Sequence, residues 1–262
     1  MMEGIARSAR PAAPGSHVVT FYDDDARMVA TMSDHVLQGL QEGEGVVLIL
    51  TQDHFSHLAG SLEGAGHSVE RLQEDGRLLF RDAEATLRGL MAHGKVDERL
   101  FFELIDPVWR AASQEGTRPV RAVGEMVDIL WSAGERHEAI DLERVWERYL
   151  NSRDVRLLCA YRVQLLEDAG EAIEAVVHLH GDGIVGTDRL RLDAAIHRAF
   201  DDIVGVDHAT RLRRLVALDL EFPRHLGVGE RLLFWTRRHL PERADAVMER
   251  ARTYFVDPGL AT

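Results

Sequence analysis

Apolar residues alternate between two spacings along most of the chain. His17 to Tyr22 (HVVTFY) is a short β-rich run, and Asp23 to Leu40 follows with Met28, Met32, Val36 and Leu40 at helical spacing. Glu44-Gly45 leads into VVLILT, which stops at polar Gln52-Asp53. Such an unbroken apolar run fits a strand covered on both faces of a parallel sheet. Leu58 to Leu62 predicts a helix. After the Gly64-Ala65-Gly66 turn, SVERL predicts a short helix or strand and GRLLFRD a strand, and Asp82 opens a helix holding Leu87, Leu90 and Met91. The spacing then predicts a helix over 100–112, a strand over 119–123, helices over 126–133 and 138–150, and a strand over 155–161. Strands separated by helices of this length imply right-handed βαβ units. The expected fold class is α/β, with a doubly wound, mainly parallel sheet.

Beyond Gly186 only the helical spacing remains. Ala244, Val247, Met248, Ala251, Tyr254 and Phe255 form one stripe, preceded by Leu192, Ile196, Phe200 and Ile203 and by Leu212, Leu215 and Val216. Pro223 and Pro241 punctuate the set. The expected organisation is a loose N-terminal tail over 1–16, an α/β domain over 17–182 and a small all-helical C-terminal module over 187–262.

Composition narrows the function classes. With 262 residues, 45% of them hydrophobic, the chain can bury a full core. No stretch approaches the roughly 20 uninterrupted apolar residues that span a bilayer, and the start has no apolar core of a secretory signal. A cytoplasmic protein without a membrane partner is expected. The net charge of −13 is uneven: residues 1–186 hold 18 Arg/Lys against 32 Asp/Glu, and residues 187–262 hold 13 against 12. An acidic surface repels nucleic acid, so nucleic acid is not an expected partner of the larger part. Arg211, Arg213, Arg214, Arg237 and Arg238 could line a DNA-contacting face, but the nearby acids Asp219, Glu221 and Glu230 argue for solvated faces.

The chemistry-bearing residues are few. Glu125 follows a strand in VRAVGEM, and in an open α/β sheet the ends of the strands border the crevice where ligands bind. Glu125 therefore either contacts a ligand or caps the helix that follows. The first strand-loop-helix reads Tyr22-Asp23-Asp24-Asp25, where a nucleotide-binding domain would carry glycines and a lysine around phosphate. Three acids there repel a polyphosphate, and Asp23 or Asp24 suits the N-cap of the helix. His178-Leu179-His180 puts two imidazoles on one side if extended, with Asp182 nearby, but no third ligand can be assigned. Cys159 alone makes no disulfide and lies in a strand pattern where a buried, inert thiol is the ordinary outcome. No GxSxG, HExxH or glycine-rich dinucleotide fingerprint is present. No catalytic residue, metal or cofactor is expected.

Several blocks, taken in order, resemble the MEDS domain, a sensory module of methanogen and methylotroph regulators. HVVTFYDD resembles its opening His-x-x-x-Phe-Tyr block, GLQEGEGVVLIL its second strand, VRAVGEMVDILWSAG its Gly-Glu-Met block, LER its Leu-Glu helix, LLCAY its final strand and HLHGDGIVG its tail. Two positions depart from the pattern: Arg162 follows LLCAY, and Arg148-Tyr149 ends the Leu-Glu helix. The family is in turn similar to KaiC and RecA-type ATPase domains, which implies a retained fold with the phosphate loop replaced by Asp23 to Asp25. The resemblance implies a non-enzymatic sensor of a small organic molecule, linked to transcription control through a regulatory protein partner; a homodimer is open to it. The implied ligand contacts near the strand ends are His17, Phe21, Tyr22, Asp23, Glu125, Met126 and Tyr161, with residues 187–262 repacking in response. Two rival readings stand beside it: a nucleotide-binding or ATPase protein, and a DNA-binding repressor acting through the C-terminal helices.

Overall fold

The computed structural model of the protein describes residues 15–22, 24–151, 153–163, 171–181, 184, 189–223 and 226–256. Five parallel strands form the central sheet: β1 (Ser16–Tyr22), β2 (Gly45–Leu50), β3 (Leu78–Asp82), β6 (Val120–Gly124) and β7 (Val155–Arg162). They lie in the order β1-β7-β6-β2-β3. Every residue of β2 and β6 is buried, as the unbroken apolar run of β2 requires. Fully burying a Val, Leu or Ile side chain is worth about 1.5–3 kcal/mol, so these two strands anchor the core.

Side-chain alternation divides the core into two layers. Val46, Leu48 and Leu50 of β2 join Leu158 and Ala160 of β7 against α1 (Asp25–Gln41), α2 (Gln52–Gly64) and α3 (Val69–Glu74). Met28, Met32, Val36 and Leu40 supply the buried stripe of α1. Val47 and Ile49, with Leu157, Cys159 and Tyr161, face the other way. There they meet α4 (Ala83–Leu90), α5 (Glu98–Ala112), α6 (Met126–Ser132) and α7 (Arg136–Leu150). Helices on both faces of a parallel sheet make the fold a doubly wound α/β fold, followed by C-terminal helices.

Three details differ from the expectation. Met91 does not continue α4. It opens β4 (Met91–Ala92), which pairs antiparallel with β5 (Lys95–Val96) across a turn at His93 and Gly94, both at positive φ. Two consecutive positive-φ residues are the signature of a tight hairpin turn. A further helix, α8 (Glu171–Leu179), packs on α7. Ile184 also forms a parallel bridge to Val19 on the outer side of β1.

The C-terminal helices are α9 (Arg189–Val204), α10 (Val206–Leu218), α11 (Val228–His239) and α12 (Pro241–Val256). Phe200, Phe234, Val247, Met248 and Tyr254 belong to the same apolar cluster as Val47 and Leu157 of the sheet. Arg189 ties the starts of α9 and α11 together through a two-pronged pair with buried Glu230, at 2.6 and 2.7 Å. The paired Leu232-Leu233 and Phe234 are core residues. No helix among the described residues is long and apolar enough to cross a membrane.

Candidate functional site

The carboxyl ends of β1, β2, β6 and β7 bring together acids and bases from distant parts of the chain. Glu125 occupies the N-cap position of α6, yet its side chain makes no cap bond there. Instead its carboxylate accepts from the Thr51 backbone N–H and faces His54 Nδ1 at 2.6 Å. Glu125 is thus a buried clamp between the ends of β6 and β2, and the helix-cap alternative is set aside. The hydrogen bond that His54 donates to Glu125, with the charges of Glu125 and Asp25, raises the His54 pKa above its ordinary value against the opposing effect of burial. His54 Nε2 points on toward Asp25 Oδ1, 3.9 Å away.

Asp128, one turn into α6, completes the group. It accepts from the Tyr22 hydroxyl at 3.0 Å and from the Arg162 backbone N–H at 2.6 Å. Burial raises the Asp128 pKa and the charge of Glu125 adds to it, while those two hydrogen bonds and Arg162 oppose the rise. Burial, then Asp128, also pushes the Tyr22 phenol above its ordinary value, so it stays a neutral donor. Arg162 stretches its guanidinium over the Tyr22 ring, 5.3 Å from the centroid, and pairs with Asp25. Asp25 and Arg162 are about half exposed, at 48% and 47%, whereas Tyr22, Glu125 and Asp128 beneath them are buried. Asp24 caps α1 by accepting from Arg27 N–H at 3.0 Å.

A second polar cluster lies on the α7 side of the sheet. Glu143 is fully buried in an otherwise apolar helix face, between Ala139, Leu142, Trp146 and Leu150. Its Oε1 accepts from the Tyr161 hydroxyl at 2.6 Å and lies 3.5 Å from His180 Nε2. Its Oε2 lies 3.2 Å from His17 Nε2 and 3.6 Å from the Cys159 thiol. Burial alone would raise the Glu143 pKa; the neighbouring His180 and His17, and the bond from Tyr161, instead hold it below the usual carboxylate range. Burial and the Glu143 charge push the Cys159 and Tyr161 groups up.

The expected ligand contacts therefore fall into two places. Tyr22 and Glu125 both lie at the strand ends, Tyr22 bonded to Asp128 and Glu125 to Thr51 and His54. His17, Phe21 and Tyr161 face α7 because strand side chains alternate, with the Phe21 and Tyr161 rings 6.0 Å apart. Met126 is buried in the α7-side core, and Asp23 lies outside the described residues. Sequence reasoning did not single out Thr51, His54, Asp128 or Glu143. The one signal for Glu143 is a carboxylate at helical spacing within an apolar stripe.

The His178-Leu179-His180 segment is not extended. Residue 178 is on α8 and 180 just past its end, so the two rings diverge. His178 bonds the Glu174 and Glu221 carbonyls at 2.7 and 3.0 Å, and only His180 enters the cluster. Asp182 lies outside the described residues.

Residues 16–181 match the family model of MEDS, the MEthanogen/methylotroph, DcmR Sensory domain. The chain belongs to the MEDS family. Both clusters fall within the matched residues, so they are features of a sensory domain. No curated protein matches the chain.

Proposed function

We propose that this MEDS protein is a cytoplasmic, non-enzymatic regulator that receives a small organic ligand at the carboxyl ends of β1, β2, β6 and β7. The observation that carries this reading is the position of Arg162. Its backbone is held by Asp128 and its half-exposed guanidinium by Asp25, and it is the last residue of β7. A ligand bearing a carboxylate or hydroxyl competes with Asp25 for that guanidinium. Displacing the pair disturbs the end of β7 at Arg162 and Val163, whose N–H donates to the Tyr22 carbonyl at 3.0 Å. Glu174 of α8 pairs with Arg238 of α11, which also reaches Glu221 at 2.5 Å. Ligand binding at the strand ends thereby biases the packing of the C-terminal helices, provided the ligand binds one arrangement better. Exposed Leu215, Leu218 and Leu220 offer apolar contacts to a regulatory partner acting in transcription control.

Two features favour a receptor over a nucleotide enzyme or a DNA-binding protein. Asp24 and Asp25 stand where phosphates would meet the start of α1, and Asp24 already caps it. Among the arginines of the C-terminal helices, Arg213 pairs with Asp201 at 2.6 Å and Arg238 with two glutamates, which lowers the positive charge available to phosphate. The test is a thermal-shift titration with short-chain carboxylates, alcohols and halogenated hydrocarbons. A true ligand at 100 times its Kd stabilises by about 2.7 kcal/mol. The stabilisation disappears in Arg162→Ala; an undiminished shift in both Arg162→Ala and Tyr22→Phe removes the strand-end site.

A further inference from the structure

We infer that the cluster of His17, Glu143, Cys159 and His180 is a closed transition-metal site that takes one zinc-class divalent ion. Four elements supply the four residues: β1, α7, β7 and the end of α8. All four are buried, and their donor atoms lie within 4.8 Å of one another. A lone thiol or a lone carboxylate would mean little. Two imidazoles, a thiol and a carboxylate converging at this range make a mixed nitrogen, sulfur and oxygen donor set that suits zinc.

Four of the donor separations lie close to tetrahedral edges, and the rest stay within 4.8 Å. Zinc bonds of about 2.0–2.1 Å to nitrogen or oxygen and about 2.3 Å to sulfur place neighbouring ligand atoms about 3.3–3.6 Å apart. Here the His17–Glu143, His17–Cys159, His180–Glu143 and Cys159–Glu143 separations are 3.2, 3.3, 3.5 and 3.6 Å. Outer contacts orient the donors. His180 Nδ1 donates to the Val176 carbonyl at 2.7 Å, which leaves Nε2 as the metal-facing nitrogen. Tyr161 fixes the Glu143 carboxylate through Oε1 at 2.6 Å. A cation among these atoms turns lone pairs that face one another into a common set of bonds, and the thiol gives up its proton on binding.

Four protein ligands leave no open coordination position, so the site is structural. Its ion would pin the end of α8, through His180, to the sheet and α7. That tie is internal to the sensory domain; it fixes α8, whose Glu174 pairs with Arg238 of α11, and it does not depend on where a small ligand binds.

The test uses the full chain without a histidine tag, purified from zinc-supplemented cells and analysed by elemental mass spectrometry. About one zinc per chain is expected, with at least tenfold less in Cys159→Ser and His180→Asn and no change in the His178→Asn control. Refolding the wild-type chain with cobalt(II) should give the intense visible bands of tetrahedral cobalt and a thiolate-to-cobalt charge-transfer band. This arm stands even if a variant fails to fold. Metal-free protein together with no cobalt–thiolate band overturns the proposal, as does a band that persists in folded Cys159→Ser.

Discussion

Replacing Glu125 by alanine separates a buried clamp from an ordinary helix cap. The wild-type carboxylate holds the Thr51 amide and His54 Nδ1, the latter at 2.6 Å, from a side chain only 2% exposed. A charge-assisted bond to a histidine contributes about 1.5–3 kcal/mol, and a buried amide left without an acceptor costs about 1–3 kcal/mol. Partial relaxation and water entry reduce the sum, so a loss of about 2–4 kcal/mol is expected. That corresponds to a melting temperature lower by roughly 5–15 °C in a chain of this size.

The loss also depends on pH in a defined direction. Glu125 raises the His54 pKa in the folded protein above its value of 6.5 in the open chain. The stabilisation is then complete below pH 6.5 and fades as pH rises through the higher folded value. Urea unfolding of wild type and Glu125→Ala should therefore show a larger difference at about pH 6 than at about pH 9. A cycle with His54→Ala should give a coupling of at least about 1 kcal/mol. A loss below about 0.5 kcal/mol, or full additivity with His54→Ala, refutes the clamp.

Other perturbations follow from the same geometry. Glu44, buried at the opposite end of the sheet, holds Arg121 at 2.7 Å and also Arg156, so Glu44→Ala leaves the buried Arg121 guanidinium only its longer contacts to Glu42 at 3.3 Å and Gln38 at 3.4 Å. Chemical denaturation should register about 1.5–3 kcal/mol of lost stability, the worth of a hydrogen bond to a charged group. Tyr22→Phe removes one of two donors to Asp128 and should cost only about 0.5–1.5 kcal/mol by the same method, while altering ligand response. Gly45→Ala would drive a methyl group into the Ala112 carbonyl where α5 meets β2; soluble yield and melting temperature should both fall, and an unaffected variant would contradict the packing described there.

How much of this was legible in the sequence depends on the range of the forces involved. The apolar run of β2 and the Met28–Leu40 stripe of α1 are local patterns with a single structural solution, and both elements form as expected. The hairpin at 91–96 was not legible, because two-residue strands carry no periodicity and Met91 extends the α4 stripe by one place. Glu125 stood out through its position after β6, but its partners Thr51 and His54 lie more than seventy residues away in the chain. His17 and Cys159 are 142 residues apart, and nothing local announces that they meet. Alternation along β1 and β7 could have separated His17 and Tyr161 from Tyr22, since the face of a strand residue follows from its parity.

Hydrogen exchange of the full chain, with and without a saturating compound from the thermal-shift panel, tests the regulatory account most directly. Changed protection in α8 and in α9 to α12, abolished by Arg162→Ala, is the predicted result. Protection altered only at the strand ends, with the C-terminal helices exchanging as before, would contradict it.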